Sequence, residues 1–348
     1  MTQLLPLAIS MGDPAGIGPE IVLRWWQDQA RDHAPVWVAG DIRALQRAAQ
    51  VLNQHWHWRV FVSAQEAATH AQTHALADHE VWVVDDGACA SQPLPEWGRI
   101  DPVGGHMAVA AIRVAAWACL RHQARALVTA PIHKESMHAA GYAWPGHTEM
   151  LQEWAAQHMG VPIHNMPVQM MLANAEICTV LLTTHCSLRQ AIEHVTQQNV
   201  FDAITRIYRS WPDRAQASGL RVAVAGLNPH AGEGGQFGDE EILHILPAVQ
   251  QAQAMGLPVS GPWPPDTVFM QARQGQFDVV LAMTHDHGLI PVKYMGIDAG
   301  VNVTFGIPFV RTSPDHGTAF AIAGRAQANH ASFATAVQWA QRLAQTNP

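Results

Sequence analysis

Short apolar runs rich in β-branched residues alternate with amphipathic segments from one end of the chain to the other. Such runs are typical of buried strands, and the segments between them have helical spacing. This alternation predicts an α/β fold with a mainly parallel sheet. The predicted strands are Leu4–Ser10, Val36–Ala39, Arg59–Val62, Val81–Val84, Ala126–Ala130, Thr179–Thr184, Arg221–Ala225, Val279–Met283 and Asn302–Phe305.

Three histidines follow predicted strands in the same way. His185 closes TVLLTTH, His230 closes RVAVAGLNPH, and His285 closes DVVLAMTH. Parallel strands end at one edge of a sheet, where open α/β sheets bind ligands, and three imidazoles with one open position form a common catalytic metal sphere. Each histidine alone is more often structural, but three at one edge predict a metal site. His287, two residues after His285, is an alternative ligand.

The size of the chain indicates two lobes. Its 348 residues are 48% hydrophobic and 14% charged, which is enough for a large core. The chain becomes dense in Gly, Pro, His and charged residues near 141–148 and near 306–311. We expect it to cross between lobes there, so that one lobe comprises 1–147 with 310–348 and the other comprises 148–309.

Charge and cysteine content exclude several classes of protein. The net charge is -8 and there is no Lys/Arg tract, so a nucleic-acid partner is not expected. The four cysteines form no C-x-x-C pair, which favours reduced thiols and a cytoplasmic location. The N-terminus lacks a basic region before its first Gly/Pro turn, so no signal peptide is expected. The apolar stretch His106–Leu120 contains Arg113 and is short, which predicts a buried helix and no membrane association.

Two further segments have the pattern of anion sites. SMGDPAGIGPE joins the first strand to a helix, either as a backbone cradle for an anion or as a tight turn. It is neither a P-loop nor a dinucleotide fingerprint. Lys134 follows a strand, and His147 with Thr148 precedes a helix, which suits a phosphate or carboxylate. The alternatives are a solvated lysine and a hydrogen-bonded turn histidine.

Polar residues in the last third of the chain add candidates. Asp266, in GPWPPDT, is a carboxylate near the metal, a proton acceptor or simply a turn residue. Lys293, Asn302 and Arg311 lie in apolar stretches, where a charged side chain usually needs a partner. That partner is a ligand or, for Arg311, an internal carboxylate.

At these motifs the chain resembles a known family. SMGDPAGIGPE, TAPIHKE with PGHTE, LLTTH, GLNPHAGEGG, GPWPPDT, HDHGLIPVKY and RTSPDHGTAFAIAG occur in the order found in the 4-hydroxythreonine-4-phosphate dehydrogenases of pyridoxal phosphate (pyridoxine) biosynthesis, over nearly the whole chain. The resemblance implies an isocitrate/isopropylmalate dehydrogenase-like fold, with two α/β/α lobes flanking a cleft. It also implies a homodimer, NAD or NADP as oxidant, and one divalent metal (Zn, Mg or Co) per site.

The resemblance also implies roles for individual residues. Asp266 and Lys293 would be catalytic, and the cofactor would lie on a loop of the first lobe. The second lobe would carry the metal ligands and the dimer interface, with one metal histidine serving the neighbouring subunit. The implied metal ligands are His185, His230 and His285, the substrate contacts are His147, Thr148, Asp266, Lys293, Asn302 and Arg311, and the cofactor contacts are His316, Gly317, Thr318 and Ala319.

Three positions depart from the usual family pattern. The chain has His133 where the family usually has Asn in T-A-P-I-N-K, and it has Thr284 and His287 within its counterpart of Y-H-D-Q-G. His287 could therefore alter metal preference or substrate fit.

The implied reaction oxidises 4-phosphohydroxy-L-threonine to 2-amino-3-oxo-4-(phosphohydroxy)butanoate, which loses carbon dioxide to give 3-amino-2-oxopropyl phosphate. Related enzymes act on threonate or erythronate 4-phosphate, and more distant ones act on aromatic cis-dihydrodiols. From the residues alone, a metal-dependent hydrolase and a non-catalytic metal- or metabolite-binding protein are further alternatives. The hydrolase would not bind NAD or NADP, and the binding protein leaves the segment HGTAFAIAG unexplained.

Overall fold

The computed structural model describes residues 5–28, 35–211, 219–296 and 300–344. The chain forms two compact units. The first comprises Met1–Pro167 and Ile307–Asn347, and the second comprises Val168–Gly306.

Helices and strands alternate along the described residues. The first unit contains, in order, β1 (Leu7–Ser10), α1 (Gly18–Asp28), β2 (Val36–Ala39), α2 (Ile42–Val51), β3 (His57–Phe61), α3 (Ala64–Ala71), β4 (Glu80–Val84), α4 (Pro102–Leu120), β5 (Ala126–Thr129), α5 (Lys134–Ala139) and α6 (His147–Met159). The second unit contains β6 (Gln169–Ala173), β7 (Cys178–Leu181), α7 (Leu188–His194), α8 (Gln197–Ser210), β8 (Val222–Ala225), α9 (Leu246–Ala254), β9 (Val259–Trp263), α10 (Val268–Arg273), β10 (Val279–Ala282), α11 (His285–Tyr294) and β11 (Val301–Phe305). The chain then returns to the first unit with β12 (Val310–Pro314) and α12 (Ala331–Leu343).

The first unit is a parallel sheet covered on both faces. Its strand order is β3-β4-β2-β1-β5-β12, and every pair in it is parallel. The chain moves outward from β1 through β2 to β3, then reverses through β4 to β5. Because crossovers are right-handed, α1 and α2 cover one face while α3 and α4 cover the other. The contacts of α1 with α2, and of α3 with α4, agree with this arrangement. The expected α/β class is confirmed.

The order in which strands are added to the sheet reverses between β1 and β5, and the segments that follow these two strands are bonded together. The Asp13 N–H donates to the Pro131 carbonyl over 2.9 Å. Gly12 has φ +77°, and a Cβ there would lie 2.4 Å from the same carbonyl oxygen. Only glycine fits this turn. Open α/β sheets form ligand sites at such a reversal of strand order.

The second unit is a mixed sheet with the order β11-β6-β7-β10-β8-β9. Strand β6 is antiparallel to both of its neighbours. Strands β7, β10, β8 and β9 are mutually parallel and therefore end at one edge. This edge is called the carboxyl edge of the second unit.

The structure contains all nine predicted strands, with ends that differ by up to three residues; Leu4, in the first of them, lies outside the described residues. Three strands were not predicted. Strand β6 (QMMLA) lacks β-branched residues, β9 (VSGPW) contains Gly and Pro, and β12 (VRTSP) is largely polar. Each is held by pairing with neighbouring strands rather than by local preference.

Helix α4 contains the apolar stretch that was expected to be a buried helix. It is long and apolar enough to cross a membrane by length and composition, but most of its apolar window is buried within the protein. It packs on β1, β2 and β5. Burial in the first unit therefore accounts for its composition.

Helix α11 packs closely on the second sheet at Gly288. A Cβ at this residue would lie 2.3 Å from Leu181 Cδ2 and 2.8 Å from Thr179 Cγ2. We expect Gly288→Ala to lower the free energy of unfolding by about 1–3 kcal/mol, because the buried side chains of Leu181 and Thr179 must shift to admit the methyl group. Urea unfolding measures this loss. Gly219→Ala is the control, since no atom of the described residues lies within 4 Å of a Cβ there. Equal losses in the two variants would contradict the expectation.

Candidate active site

Parallel pairing places His185 beside His285. Strand β10 lies between β7 and β8, so the segment ending in His285 lies between those ending in His185 and His230. The ends of β7 and β10 are bonded beyond the strands, by Leu182 N–H to the Ala282 carbonyl and by the Thr183 hydroxyl to the Met283 carbonyl, both over 2.8 Å. The rings of His185 and His285 have centroids 6.1 Å apart.

The orientation of the His285 ring is set by its neighbour. His285 is the first residue of α11, and its Nδ1 lies 2.8 Å from Asp286 Oδ1. A carboxylate at Nδ1 favours the proton there and leaves the Nε2 lone pair for a ligand. His287 is roughly 200° further round the helix and points away from His285. Its Nδ1 is buried and has no hydrogen-bond partner among the described residues.

His230 lies on a strained loop after β8. The five residues from His230 to Gly234 all have positive φ, between 41° and 77°. Three of them are not glycine, and left-handed backbone costs such residues about 1–2 kcal/mol each. The His230 side chain is exposed, with Phe237 as its ring neighbour at 6.1 Å between centroids.

The donor chemistry suits a divalent metal, but one chain brings only two of the three histidines together. Neutral imidazoles are common ligands of Zn and related cations. Within the described ranges, no group of three or more His, Cys, Asp or Glu side chains is placed to hold an ion. The pair His185 and His285 therefore supplies part of a coordination sphere, and the role of His230 stays a prediction.

Asp266 and Lys293 lie at different ends of the second unit. Asp266 is exposed and follows β9, so it belongs to the carboxyl edge. Lys293 is near the end of α11, about 12 Å along the helix axis from His285. Asn302 is paired with Leu172 in the strand ladder, within the sheet rather than at its carboxyl edge. A single chain does not bring the predicted catalytic pair together beside the histidines.

The first unit contains a buried cation, Arg311 of β12, which bonds the last residue of β5. Arg311 is 5% exposed, and both its Nε and one terminal nitrogen donate to the Thr129 hydroxyl, over 3.2 and 2.7 Å. Burial lowers the pKa of Arg311 to about 10, against the opposing effect of Glu149. The guanidinium therefore stays charged at neutral pH, and a buried charge of this kind favours an anionic ligand.

His147 lies beside this cation, as the first residue of α6. Burial, together with the charges of Arg311 and Lys134, holds the pKa of His147 well below its ordinary value, although a bond with the Ala130 backbone opposes the shift. The imidazole is therefore neutral. Its Nε2 is buried and has no hydrogen-bond partner among the described residues, which leaves that atom available to a ligand.

The start of α6 is open to an anion. Gly146, its N-cap, has no side chain to bond the N–H groups of the first turn, where Thr148 is the second residue. The Lys134 side chain is close, since a Cβ at Gly146 would lie 3.8 Å from Lys134 Cε. A Cβ there would also lie 3.6 Å from Glu149 Oε2, so a carboxylate is near as well. The helix dipole and the two cations favour an anion at this helix start. The structure places Lys134 and Arg311 near His147, and the binding of an anion by Lys134, His147 and Thr148 stays a prediction.

The predicted cofactor segment packs on the glycine-rich turn after β1. Ile17 N–H donates to the Thr318 carbonyl over 3.0 Å, and a Cβ at Gly16 would lie 2.8 Å from Thr318 Cβ. Ala319 has φ 43°, while His316 bonds the adjacent Gly317 carbonyl through Nδ1. The segment His316–Ala319 and the glycine-rich turn after β1 thus form one surface of the first unit.

Sequence reasoning gave no role to two residues beside this surface. The ring of His133 stacks on Phe320 with centroids 4.5 Å apart and planes 13° apart. Asp13 is fully buried, and burial raises its pKa to about 6 although the Ala15 N–H donates to its Oδ1. The sequence contained a signal for each residue, since His133 departs from the family pattern and Asp13 lies in the SMGDPAG turn.

A buried guanidinium in one unit and paired imidazoles at a sheet edge in the other define an α/β enzyme. The chain belongs to the family described as pyridoxal phosphate biosynthetic protein PdxA, whose model matches residues 32–340. The predictions that the chain belongs to this family and that it is an enzyme are confirmed.

Individual relatives match over nearly their full lengths. The chain is 48% identical to the 4-hydroxythreonine-4-phosphate dehydrogenase of Beijerinckia indica, over 99% of this chain and 96% of that protein. It is 38% identical to the D-threonate 4-phosphate dehydrogenase of Salmonella typhimurium, over 97% and 98%. The crystal structure of 4-hydroxythreonine-4-phosphate dehydrogenase from Klebsiella pneumoniae is similar, with a TM-score of 0.81 and 37% identity over 98% of this chain and 100% of that one.

The raised pKa of Asp13 predicts a pH-dependent stability. Between about pH 4 and pH 6 the unfolded chain releases this proton while the folded protein retains it, so the free energy of unfolding falls as pH rises through that window. Asp13→Asn removes the ionisation. We expect the variant to gain up to about 3 kcal/mol over the wild type above about pH 7 and little below about pH 4.

Urea unfolding at both pH values measures the gain. Asp239→Asn, at an exposed position, is the control. A gain that is the same at both pH values would show that Asp13 does not carry this proton.

Proposed function

We propose that the chain is an NAD(P)- and divalent-metal-dependent dehydrogenase that oxidises 4-phosphohydroxy-L-threonine to 2-amino-3-oxo-4-(phosphohydroxy)butanoate. That product loses carbon dioxide to give 3-amino-2-oxopropyl phosphate, in the biosynthesis of pyridoxal 5'-phosphate. The observation that carries the proposal is the anion site of the first unit, where the buried Arg311 lies beside a neutral His147 at the open start of α6. The name of the relative that is 48% identical supports the same reaction.

The phosphate would bind in this anion site. Arg311 supplies a buried positive charge, and the Nε2 of the neutral His147 can donate or accept a hydrogen bond, according to its tautomer, without adding a second buried charge. Thr148 adds a hydroxyl in the first turn of α6. Together these groups would fix one end of the substrate, so that its hydroxyl is positioned for oxidation. Asn302 and Lys293 would contact the rest of the molecule.

The metal would be held by His185, His230 and His285, and it would supply positive charge that lowers the pKa of the reacting hydroxyl. NAD or NADP would lie along His316–Ala319 and accept the hydride. Asp266 or Lys293 would take the hydroxyl proton. Asp286 would keep the His285 ring turned with Nε2 toward its ligand.

The enzyme would work as a homodimer with the metal site at the interface. Exposed apolar side chains accompany each of the three histidines, which is typical of a surface that another chain covers. They are Leu188 and Ile192 on α7 after His185, Phe237, Ile242, Leu243 and Leu246 after His230, and Ile290 and Tyr294 on α11 with His285. A second copy would cover these segments and complete the set of three ligands that one chain leaves incomplete. Free cysteines at all four positions fit a cytoplasmic location.

A second candidate is the oxidation of D-threonate 4-phosphate, the activity in the name of a relative that is 38% identical over 97% of this chain. The anion site would bind either phosphate, because both substrates carry it at the same end. The two differ in an amino or hydroxyl group near the reacting carbon.

The reaction is tested with both substrates side by side. We expect purified protein with NAD or NADP and a divalent metal to form reduced nicotinamide with 4-phosphohydroxy-L-threonine, and to stop when a chelator removes the metal. A kcat/KM that is higher for D-threonate 4-phosphate would select the second candidate. Release of inorganic phosphate without reduction of nicotinamide would instead indicate a hydrolase.

The dimer is tested at Leu243, which is 54% exposed. We expect Leu243→Asp to raise the dimer dissociation constant roughly tenfold or more, because a charge would be buried in the apolar interface. Size-exclusion chromatography with light scattering measures the mass. Val62→Asp is the control, at an apolar residue of the first unit that is 73% exposed. A stable dimer in both Leu243→Asp and Leu188→Asp would contradict the proposed interface.

A further inference from the structure

The loop that carries His230 is built around a buried carboxylate. Glu241 is 2% exposed. Its Oε1 accepts from the N–H groups of Leu227 and Asn228 over 2.7 and 2.8 Å, and its Oε2 accepts from Asn228 Nδ2 over 2.9 Å. Three donors from the residues just before His230 thus converge on one side chain.

Two glycines of the loop leave room for this carboxylate. A Cβ at Gly226 would lie 3.0 Å from Glu241 Oε1, and a Cβ at Gly232 would lie 2.8 Å from Oε2. The carboxylate therefore contacts the loop on both sides of His230. Any larger residue at these positions would push the carboxylate and the loop apart.

The helix that delivers Glu241 is itself irregular. Residues Glu241–Ile245 form a π-helical turn that runs into α9. Such turns are rare, and they often occur where a side chain must be re-aimed at a functional site. Here the turn begins at the residue whose carboxylate enters the loop.

The strained backbone needs such a support. His230, Ala231 and Glu233 adopt left-handed conformations that their side chains disfavour, and they do so consecutively with Gly232 and Gly234. A conformation of this kind persists only when the surrounding structure determines it. Among the described contacts, the bonds from Leu227 and Asn228 to Glu241 hold the start of the loop. Asn228 Nδ2 also donates to Glu240 Oε2 over 2.6 Å.

We infer that Glu241 is a positioning residue for His230: its buried carboxylate holds the left-handed loop in the conformation that presents this imidazole to a divalent metal. The inference rests on the proposed function, since it takes His230 as a metal ligand. Glu241 does not touch the metal or the substrate in this role. It acts through Leu227 and Asn228.

The test is metal affinity in the full-length protein, with Co²⁺ as the probe. We expect Glu241→Gln to raise the Kd for Co²⁺ about 10- to 100-fold, as is usual when a residue that orients a ligand is lost. Glutamine keeps the size of the side chain, but its NH₂ group would face a loop donor where an oxygen now accepts. The visible absorption of bound Co²⁺ should also change, because a displaced imidazole alters the geometry around the ion.

Controls separate positioning from general stability. Glu233→Gln makes the same chemical change at an exposed position of the same loop, and it should leave the Kd and the Co²⁺ spectrum unchanged. Circular dichroism establishes that each variant is folded at the temperature of the titration. If Glu241→Gln does not fold, Gly232→Ala replaces it, because its Cβ would displace the carboxylate from the loop. The same rise in Kd is expected there.

His230→Ala separates this inference from the proposed function. Loss of Co²⁺ binding in His230→Ala, together with a wild-type Kd and spectrum in a folded Glu241→Gln, would overturn the inference and leave the proposed metal site standing. Wild-type Co²⁺ affinity in His230→Ala would overturn both. Weaker binding and an altered spectrum in both variants, with Glu233→Gln unchanged, would support the inference.

Discussion

Parallel hydrogen bonding between β7, β10 and β8 is the constraint on which the candidate active site depends. Parallel strands must point the same way, so the segments that follow them leave the sheet at one edge. The bonds continue past the strands, from Leu182 and Thr183 to the end of β10, and this extension brings His185 within 6.1 Å of His285 between ring centroids. Without this pairing, no interaction would hold His185 and His285 together, because they are far apart in the sequence.

Burial of a polar or charged group is costly, and the structure compensates four such groups in different ways. Arg311 keeps its charge beside the Thr129 hydroxyl, and His147 becomes neutral next to it. Asp13 is buried with a raised pKa, while Glu241 is surrounded by N–H donors. Burial of a charge without such compensation would cost several kcal/mol. The burial of these four groups at such a cost therefore indicates a functional role more strongly than their residue types do.

The two units divide the chemistry. The first holds the anion site and the segment His316–Ala319, packed against the turn after β1. The second holds the histidines and Asp266 at its carboxyl edge, with Lys293 near the far end of α11. Each unit thus carries a different part of the residues that the proposed reaction needs.

The sequence by itself determined the strands with strong local preference, the α/β class and the family, because these depend on apolar periodicity and on motifs that are contiguous in the chain. It placed His185, His230 and His285 at strand ends for the same reason. Only the tertiary structure decided that β6, β9 and β12 are strands, since pairing holds them against weak local preference. It also decided that His185 and His285 are neighbours while His230 lies on a left-handed loop over Glu241. Those relations depend on strand order and on contacts between residues far apart in the chain, which no local pattern encodes.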